Sequence, residues 1–176
     1  MRIISGKWRG RIIDAPPGRK TRPTSDRVRE AWMSAIQHEI PNAHVLDLFA
    51  GSGALGIEAL SRGAKHVTFV ERALPVIRTL KNNLTKLRVE PESFTIVKTD
   101  AIGFAAEAEK LAYHIALADP PYNQGFAAEL LQSFSRTPFA TWFWVEHEAS
   151  ETLPPLAGAD TRKYGDTALT SITAPE

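Results

Sequence analysis

From residue 44 onward, short apolar segments alternate with segments of helical periodicity. Strands are predicted over residues 44–49, 67–71, 94–98, 115–118 and 142–147, and helices over residues 54–61, 75–87, 102–110 and 126–134. Strands that alternate with helices need crossover connections, which place consecutive strands parallel in one sheet. The pattern therefore predicts an α/β domain with a mostly parallel, doubly wound sheet.

The two ends of the chain depart from this alternation. At the end, residues 161–164 and 168–173 flank Gly165-Asp166, which predicts a closing antiparallel hairpin. At the start, residues 2–5 and 8–13 predict a small β-hairpin through Gly6-Lys7. A helix should follow, capped by Thr24 or Ser25 and ended by Pro41. We expect residues 1–40 to form an extension of a domain over residues 41–176.

The composition sets outer limits on the class of protein. The 176 residues are 43% hydrophobic and 23% charged, which is typical of one soluble globular domain. No cysteine is present, so disulfides and thiolate metal sites are excluded. Apolar runs are too short to span a bilayer and no secretory signal is evident, so we expect a cytoplasmic protein without a membrane partner.

The net charge of +1 conceals an uneven distribution. Residues 1–29 hold nine Lys or Arg and two acids, whereas residues 30–176 hold twelve bases and eighteen acids. A basic segment on an acidic body favours a polyanionic partner such as nucleic acid. The alternative is a solvated basic tail. Interleaved Trp8, Ile12 and Ile13 indicate a folded segment, which favours the nucleic-acid interpretation.

A glycine-rich segment follows the first predicted strand and opens the next helix. It reads Asp47-Leu-Phe-Ala-Gly51-Ser-Gly53-Ala-Leu-Gly56. Glycines let the backbone approach a ligand closely, and free amides at a helix start favour a carboxylate or phosphate. The segment fits a dinucleotide or S-adenosylmethionine, and a tight strand-to-helix turn without a ligand is the ordinary alternative.

Acidic residues end the next two predicted strands. Glu71 suits the hydroxyls of a ribose, although a solvent-facing acid is common there. Asp100 suits an adenine amino group, and a helix N-cap explains it equally well. Because the carboxyl ends of parallel strands converge, these acids and the glycine segment are expected to form one site.

The fourth predicted strand ends in Ala118-Asp119-Pro120-Pro121-Tyr122. The two prolines remove amide donors and stiffen the turn, while the Pro120 carbonyl and the Asp119 carboxylate remain as acceptors. Two acceptors can orient the two N–H groups of a planar amine, and Tyr122 offers a face on which a base can stack. This combination indicates a site for an exocyclic amine, and a plain proline-rich turn does not explain the acid and the aromatic residue.

Together these segments resemble the class I S-adenosylmethionine-dependent methyltransferases that modify exocyclic amines. The start, Met1-Arg-Ile-Ile-Ser-Gly-Lys-Trp-Arg-Gly, and Arg22-Pro-Thr-Ser-Asp-Arg-Val-Arg-Glu30 resemble the bacterial small-subunit rRNA guanine-N2 methyltransferases (the RsmD family). Tyr164-Gly-Asp-Thr-Ala-Leu169 resembles that family's closing hairpin. The resemblance implies a Rossmann-like class I fold with a seven-stranded sheet, and methylation of 16S rRNA within a partly assembled small subunit.

The resemblance also implies a role for individual residues. Catalysis is assigned to Asp119, Pro120 and Tyr122. Contacts with the cofactor are assigned to Asp47, Phe49, Gly51, Gly53, Glu71, Asp100 and Ala101. Contacts with rRNA are assigned to Lys7, Arg9, Arg22, Thr24, Arg27 and Pro121. The methyl group is expected to pass directly from the sulfonium to guanine N2, without a covalent enzyme intermediate.

Three other functions remain open from the sequence. An adenine-N6 methyltransferase on DNA or another RNA would share the Asp119–Tyr122 turn. A nicotinamide-dependent oxidoreductase would share the glycine segment but has no use for that turn. A non-catalytic RNA-binding protein would retain only the basic segment. The five histidines show no metal-ligand spacing, so no metal is expected.

Overall fold

The computed structural model describes residues 1–16 and 26–175, and within them seven strands form one sheet. The strands are β1 (His44–Leu48), β2 (His66–Val70), β3 (Phe94–Val97), β4 (Tyr113–Ala118), β5 (Ala140–Glu148), β6 (Asp160–Tyr164) and β7 (Thr167–Thr173). Their order across the sheet is β3-β2-β1-β4-β5-β7-β6. Strands β1 to β5 run parallel, and β7 is antiparallel to both β5 and β6. The predicted sheet and closing hairpin are confirmed.

In the same described ranges, five helices accompany these strands: α1 (Asp26–Ala35), α2 (Ala54–Ser61), α3 (Leu74–Lys86), α4 (Ala101–Glu107) and α5 (Phe126–Arg136), with a short 3-10 helix at Pro91–Ser93. The bounds of α2 agree with the prediction, whereas α4 ends three residues before its predicted end. The caps predicted at Thr24 and Ser25 lie outside the described residues. None of the described helices is long and apolar enough to cross a bilayer.

Each face of the sheet has its own apolar core because successive strand residues point to opposite sides. On one face, Val45 and Phe69 pack with helices α1 to α3 and with Ile3, Trp8 and Ile13 of the N-terminal segment. On the other face, Leu46 and Val145 pack with α4 and α5, around a cluster of Phe134, Phe139 and Phe143. Because helices cover both faces of the mostly parallel sheet, the domain is doubly wound.

The N-terminal segment, residues 1–16, is folded against the body and forms a shorter antiparallel pair than the predicted hairpin, with backbone hydrogen bonds between residues 1–3 and 10–13. A single antiparallel bridge joins Arg2 and Ile12, and turns occupy most of the residues between them. The backbone instead bonds to α2, since the carboxylate of Glu58 accepts the amides of Ile4 at 2.9 Å and Ser5 at 3.0 Å. The buried Glu58 carboxylate therefore accepts the two amides that would otherwise have bonded to the opposite strand of a longer hairpin. The division of the chain at residue 40 stays a prediction.

Helix α1 buries a charged residue among apolar ones. Arg29 is 1% exposed and lies beside Val28 and Trp32. The helical spacing of the apolar residues did not predict that Arg29 would be buried. Its guanidinium donates to the carbonyl of Arg2 and, at 3.0 Å, to the carboxylate of Asp26. Burial lowers the pKa of Arg29, while Glu58 and Asp26 act in the opposite direction. Arg29 thereby ties α1 to the N-terminal segment.

A single buried amide joins three parts of the chain. Asn83 of α3 accepts the amide of Asp14 at 2.8 Å and donates to the Asp14 carbonyl at 3.0 Å. It also donates at 3.0 Å to the carbonyl of Ser52 in the glycine segment. Asn83 is fully buried, so water cannot readily take the place of its side chain in these hydrogen bonds. The residue therefore holds the N-terminal segment and the glycine segment against α3.

We expect Asn83→Ala to lower the free energy of unfolding by about 3 kcal/mol, because one buried and two partly buried backbone groups lose their partner. The adjacent Asn82 is exposed, so Asn82→Ala provides a matched control that should change stability by less than about 0.5 kcal/mol. Urea denaturation of the two variants measures both values. Equal stabilities would contradict the role given to Asn83.

Candidate functional site

An open cleft of about 350 Å³ lies where β1, β2 and β3 end, beside the loop that follows β4. Its lining consists of Phe49, Val70, Glu71, Arg72, Thr99, Asp100, Ala101, Pro121 and Phe126. The structure thus brings together four of the predicted cofactor residues and one predicted substrate residue. Arg72, Thr99 and Phe126 were missed, although each lies next to a strand-end motif or at the start of a helix.

The glycine segment turns through left-handed backbone conformations. Phe49, Gly51 and Gly53 have φ values of 57°, 58° and 88°. At Gly53 an added Cβ would meet Leu80 of α3 at 2.4 Å, so glycine is needed both for conformation and for space. Phe49 adopts the same region without that freedom, at a cost of about 1–3 kcal/mol. Its ring lies 5.3 Å from that of Phe126, and both rings line the cleft.

Asp47 lies behind the glycine segment and outside the cleft lining. It is 1% exposed, and its Oδ2 accepts the amide of Gly56 at 2.9 Å, while Oδ1 has no hydrogen-bond partner among the described residues. Burial raises the pKa of Asp47 to about 7; the Gly56 amide opposes this shift and the charge of Glu71 adds to it. Asp47 therefore fixes the turn from behind, and its predicted contact with a cofactor stays a prediction.

Glu71 joins the two backbone segments that border the cleft. Its Oε2 accepts the amide of Gly51 at 3.1 Å, and its Oε1 accepts the amides of Arg72 at 3.0 Å and Ala73 at 2.9 Å. The residue is buried yet lines the cleft. An ionised carboxylate has about four acceptor positions, so capacity for hydroxyl donors remains. Glu71 can hold both the loops and a ribose.

Asp100 caps the helix that begins beside the cleft. Its side chain accepts the amide of Gly103 at 2.9 Å, which confirms the N-cap interpretation of this residue. The carboxylate is also exposed at the cleft wall, next to the buried Ala101. The two interpretations of Asp100 are therefore compatible, because one oxygen can cap the helix while the other faces a ligand.

The Asp119–Tyr122 turn begins at the centre of the sheet. Ala118, the last residue of β4, pairs with Leu48 of β1 and Val145 of β5. Asp119 is half-buried, Pro120 is buried and Pro121 is exposed. Pro121 lines the same cleft as Glu71 and Asp100. The turn therefore closes one end of a cleft whose other end carries the strand-end acids.

Tyr122 is anchored through its hydroxyl group. The phenol donates to Oε1 of Glu146 at 2.6 Å and shares a hydrogen bond of 3.1 Å with Thr167. Burial raises the pKa of Tyr122 above its usual value, and the bond to Glu146 raises it further. The phenol consequently stays protonated at neutral pH. Stacking of a base on this ring stays a prediction.

Glu146 is a site residue that sequence reasoning missed. It is 2% exposed on β5, one residue beyond Val145, which pairs with the end of β4. The sequence feature that could have identified it is an acid inside the mostly apolar run Trp144-Val-Glu-His147. A buried carboxylate usually has a specific partner, and here Tyr122 is one such partner. Glu146 thus fixes the orientation of the Asp119–Tyr122 turn from the neighbouring strand.

Of the predicted rRNA-contacting residues, Pro121 lines the cleft, whereas Lys7, Arg9 and Arg27 are not part of its lining. Lys7, Arg9 and Arg27 are exposed, and the ammonium of Lys7 lies 5.4 Å from the centre of the Trp8 ring. Arg22 and Thr24 lie outside the described residues. His44, His66 and His114 meet at the opposite end of the strands from the cleft. Within residues 1–16 and 26–175, no cluster of three or more His, Asp or Glu is placed to hold a metal ion.

The raised pKa of Asp47 predicts a pH-dependent stability. Between about pH 4 and pH 7 the folded state holds more protons than the unfolded state, because the unfolded carboxyl titrates near 3.9. Stability should therefore fall as pH rises through this window, by at most about 1.4 kcal/mol per pH unit. Asp47→Asn retains an oxygen for the Gly56 amide but loses the titrating group.

Urea unfolding at pH 5, 6, 7 and 8 should show the stability of the Asp47→Asn variant increasing relative to the original protein as pH rises. Asp160→Asn, which removes an exposed carboxyl group on β6, should leave the difference constant. Parallel pH profiles for Asp47→Asn and the original protein would contradict the assignment.

The chain matches the family model described as conserved hypothetical protein 95 over residues 1–173. It is 38% identical over 157 residues to the ribosomal RNA small subunit methyltransferase D of Escherichia coli strain K12, which covers 88% of this chain and 78% of that protein. The family match includes both the N-terminal segment and the cleft residues.

Solved structures show the same fold. The Escherichia coli protein yhhF, provisionally assigned as a methyltransferase, superposes with a TM-score of 0.82 and 34% identity over 97% of this chain and 96% of that chain. The T. thermophilus 16S rRNA N2 G1207 methyltransferase RsmC, in complex with AdoMet and guanosine, gives a TM-score of 0.69 at 20% identity over 89% of this chain and 45% of that chain. By sequence match and fold together, the chain belongs to the conserved hypothetical protein 95 family, which includes the bacterial small-subunit rRNA methyltransferases D.

Proposed function

We propose that this protein transfers a methyl group from S-adenosylmethionine to the exocyclic N2 amine of a guanine in small-subunit rRNA. The observation that carries the proposal is the single cleft bordered by Glu71 and Asp100 on one side and by Pro121 of the Asp119–Tyr122 turn on the other. Family membership supports the activity, since the Escherichia coli relative is a small-subunit rRNA methyltransferase. The fold neighbour that modifies guanine N2 supports the choice of atom.

The donor set of the cleft fits S-adenosylmethionine. Glu71 and Asp100 supply acceptors for hydroxyl and amino groups, and Phe49 and Phe126 supply flat apolar walls. Because Gly51 and Gly53 have no side chains, a ligand can approach the backbone of this left-handed turn closely. When bound, the cofactor supplies an electrophilic methyl group on a sulfonium. In this proposal Gly51 and Gly53 hold the methionine portion, Glu71 the ribose, and Asp100 with Ala101 the adenine.

The Asp119–Tyr122 turn orients the acceptor amine. Asp119 and the carbonyl of Pro120 accept its two N–H groups, and this arrangement directs the nitrogen lone pair toward the methyl donor. The new N–C bond forms as the S–C bond breaks, and the amine then releases a proton to the Asp119 carboxylate or to water. Orientation of this kind contributes roughly 7–11 kcal/mol to lowering a barrier. Tyr122, held by Glu146, provides the stacking surface for the base.

The exposed bases of the N-terminal segment contact phosphates in this proposal. Lys7, Arg9 and Arg27 lie on the surface of the protein and not in the cleft, so they contribute affinity and not the choice of base. We extend the same role to Arg22 and Thr24. The substrate would be rRNA in a partly assembled small subunit, which places the enzyme in the cytoplasm.

The direct test is to incubate small ribosomal subunits lacking the modification with labelled S-adenosylmethionine, digest the rRNA and identify the labelled nucleoside. N2-methylguanosine is the expected product. N6-methyladenosine would replace the substrate assignment with the adenine-N6 alternative, and no labelled nucleoside from any RNA would overturn the proposed activity.

In the same assay, Asp119→Ala should lower the rate of methyl transfer on the order of 10³-fold, because the amine loses an acceptor that orients it. Binding of S-adenosylmethionine, measured by calorimetry, should stay within about twofold of the original protein. Full activity in this variant would exclude Asp119 from the mechanism. A large loss of cofactor binding would instead assign the residue to the cofactor pocket.

Asp100→Asn separates the two roles of Asp100. Asparagine caps a helix about as well as aspartate, so the thermal unfolding midpoint should stay unchanged. The loss of a charged acceptor should raise the Kd for S-adenosylmethionine roughly tenfold. Asp160→Asn, on the exposed β6, is the matched control and should leave the Kd unchanged. An unchanged Kd for Asp100→Asn would limit this residue to capping.

A further inference from the structure

We propose that the exposed face of α3 is a second RNA-binding surface, continuous with the N-terminal segment and reaching the mouth of the cleft. The surface consists of three bases of α3, Arg78, Lys81 and Lys86, with Arg72 before the helix and Arg88 after it, and we call it the α3 basic face. Its partner is the phosphate backbone of the RNA strand that enters the cleft. The inference rests on the proposed function, which placed phosphate contacts in the N-terminal segment, at Arg22 and Thr24, and at Arg27 of α1.

The charge distribution sets this helix apart from the rest of the body. Residues 72–89 carry five bases and no acid, whereas residues 30–71 and 90–176 together carry seven bases and eighteen acids. A helix that is only solvated commonly carries both signs of charge, often as pairs three or four residues apart. The α3 basic face therefore concentrates positive charge within an otherwise acidic body.

The geometry of α3 leaves its bases exposed. Its inner face buries Val76, Ile77, Leu80, Asn83 and Leu84. Arg78 and Lys81 lie three residues apart on the exposed side, and the exposed Lys86 lies at the C-terminal end of α3, about 140° around the helix axis from Lys81. Neither Arg78 nor Lys81 forms an ion pair or hydrogen bond with any residue in the described part of the chain, so their charges are available to a ligand.

The two ends of α3 connect it to the features already described. At its C-terminal end, Arg11 of the N-terminal segment donates to the carbonyl of Lys86 at 2.8 Å, and Lys86 lies 3.4 Å from Asp14. At its N-terminal end, the exposed Arg72 lines the cleft. The thirteen residues of α3 span roughly 20 Å, a length that covers several phosphates of one strand. Because α3 contains no acidic residue, no acid of this helix interrupts the basic surface between the N-terminal segment and the cleft.

The test compares two double variants that remove the same charge. Arg78→Gln with Lys81→Gln neutralises the α3 basic face, and glutamine preserves helix propensity. Lys110→Gln with Arg136→Gln removes two exposed bases elsewhere, one after α4 and one at the end of α5. Binding to transcribed, unmodified small-subunit rRNA is measured by filter retention between 50 and 200 mM salt. Methyl transfer to small subunits and the Kd for S-adenosylmethionine are measured in parallel.

We expect the α3 double variant to bind rRNA roughly tenfold more weakly than the original protein. The slope of log affinity against log salt should become shallower by about 1.5, the loss of two phosphate contacts. Its Kd for S-adenosylmethionine should be unchanged, and the control pair should match the original protein in every measurement.

Three results would overturn the inference. The α3 double variant could bind rRNA as well as the control pair does. Both pairs could weaken RNA binding alike, which would assign the effect to net charge. Finally, methylation of subunits could fall while rRNA binding persists, which would assign the surface to contact with a ribosomal protein. Failure of the original protein to methylate any RNA would count against the proposed function itself. That result is distinguishable, because the binding comparison between the two double variants does not depend on methyl transfer.

Discussion

Buried carboxylates that accept backbone amides hold the irregular parts of this structure in place. Asp47 accepts the amide of Gly56, and Glu71 accepts those of Gly51, Arg72 and Ala73. Glu58 accepts the amides of Ile4 and Ser5 and pairs with Arg62 at 3.0 Å. Turns and helix starts leave amides without intrahelical partners, and a buried acceptor fixes them at defined positions. The cleft and the N-terminal segment both depend on this arrangement.

Helix α2 connects these two regions. Its first turn contains Gly56, which is held by Asp47, and an added Cβ there would meet the ring of Phe69 at 2.3 Å. Its last turns contain Glu58 and Ser61, which hold the N-terminal segment; the Ser61 hydroxyl accepts the amide of Trp8 at 3.0 Å. Because α2 has only eight residues, a shift of the N-terminal segment and a shift of the glycine turn are mechanically linked. The parts predicted to contact RNA and the cofactor therefore share one short helix.

The sequence predicted the regular elements well and the polar interior poorly. Residues 54–61 and the hairpin turn at Gly165-Asp166 could be located because periodicity and turn chemistry are local properties. The N-terminal hairpin is shorter than predicted because the amides of Ile4 and Ser5 bond to Glu58, a residue more than fifty positions away. Asn83 and Glu146 were missed for the same reason, since the value of a polar side chain in the core depends on partners that only the tertiary structure supplies. Asp100 shows the reverse case, in which one residue satisfies a local capping rule and also borders the cleft.

The closing hairpin also has a part in the site, which its position at the end of the chain does not suggest. Strand β7 lies between β5 and β6, and its first residue, Thr167, reaches the hydroxyl of Tyr122 together with Glu146 of β5. Further along the same pair of strands, the buried His147 bonds to Thr170, which in turn bonds to Thr161 of β6. These side chains lock β5, β6 and β7 together behind the Asp119–Tyr122 turn. The predicted stacking of a base on Tyr122 would benefit from a rigid ring, since mobility of the ring would spend binding energy on ordering it. The antiparallel end of the sheet supplies that rigidity, and so the hairpin supports the Asp119–Tyr122 turn, which lies at the same end of the parallel strands as the glycine turn.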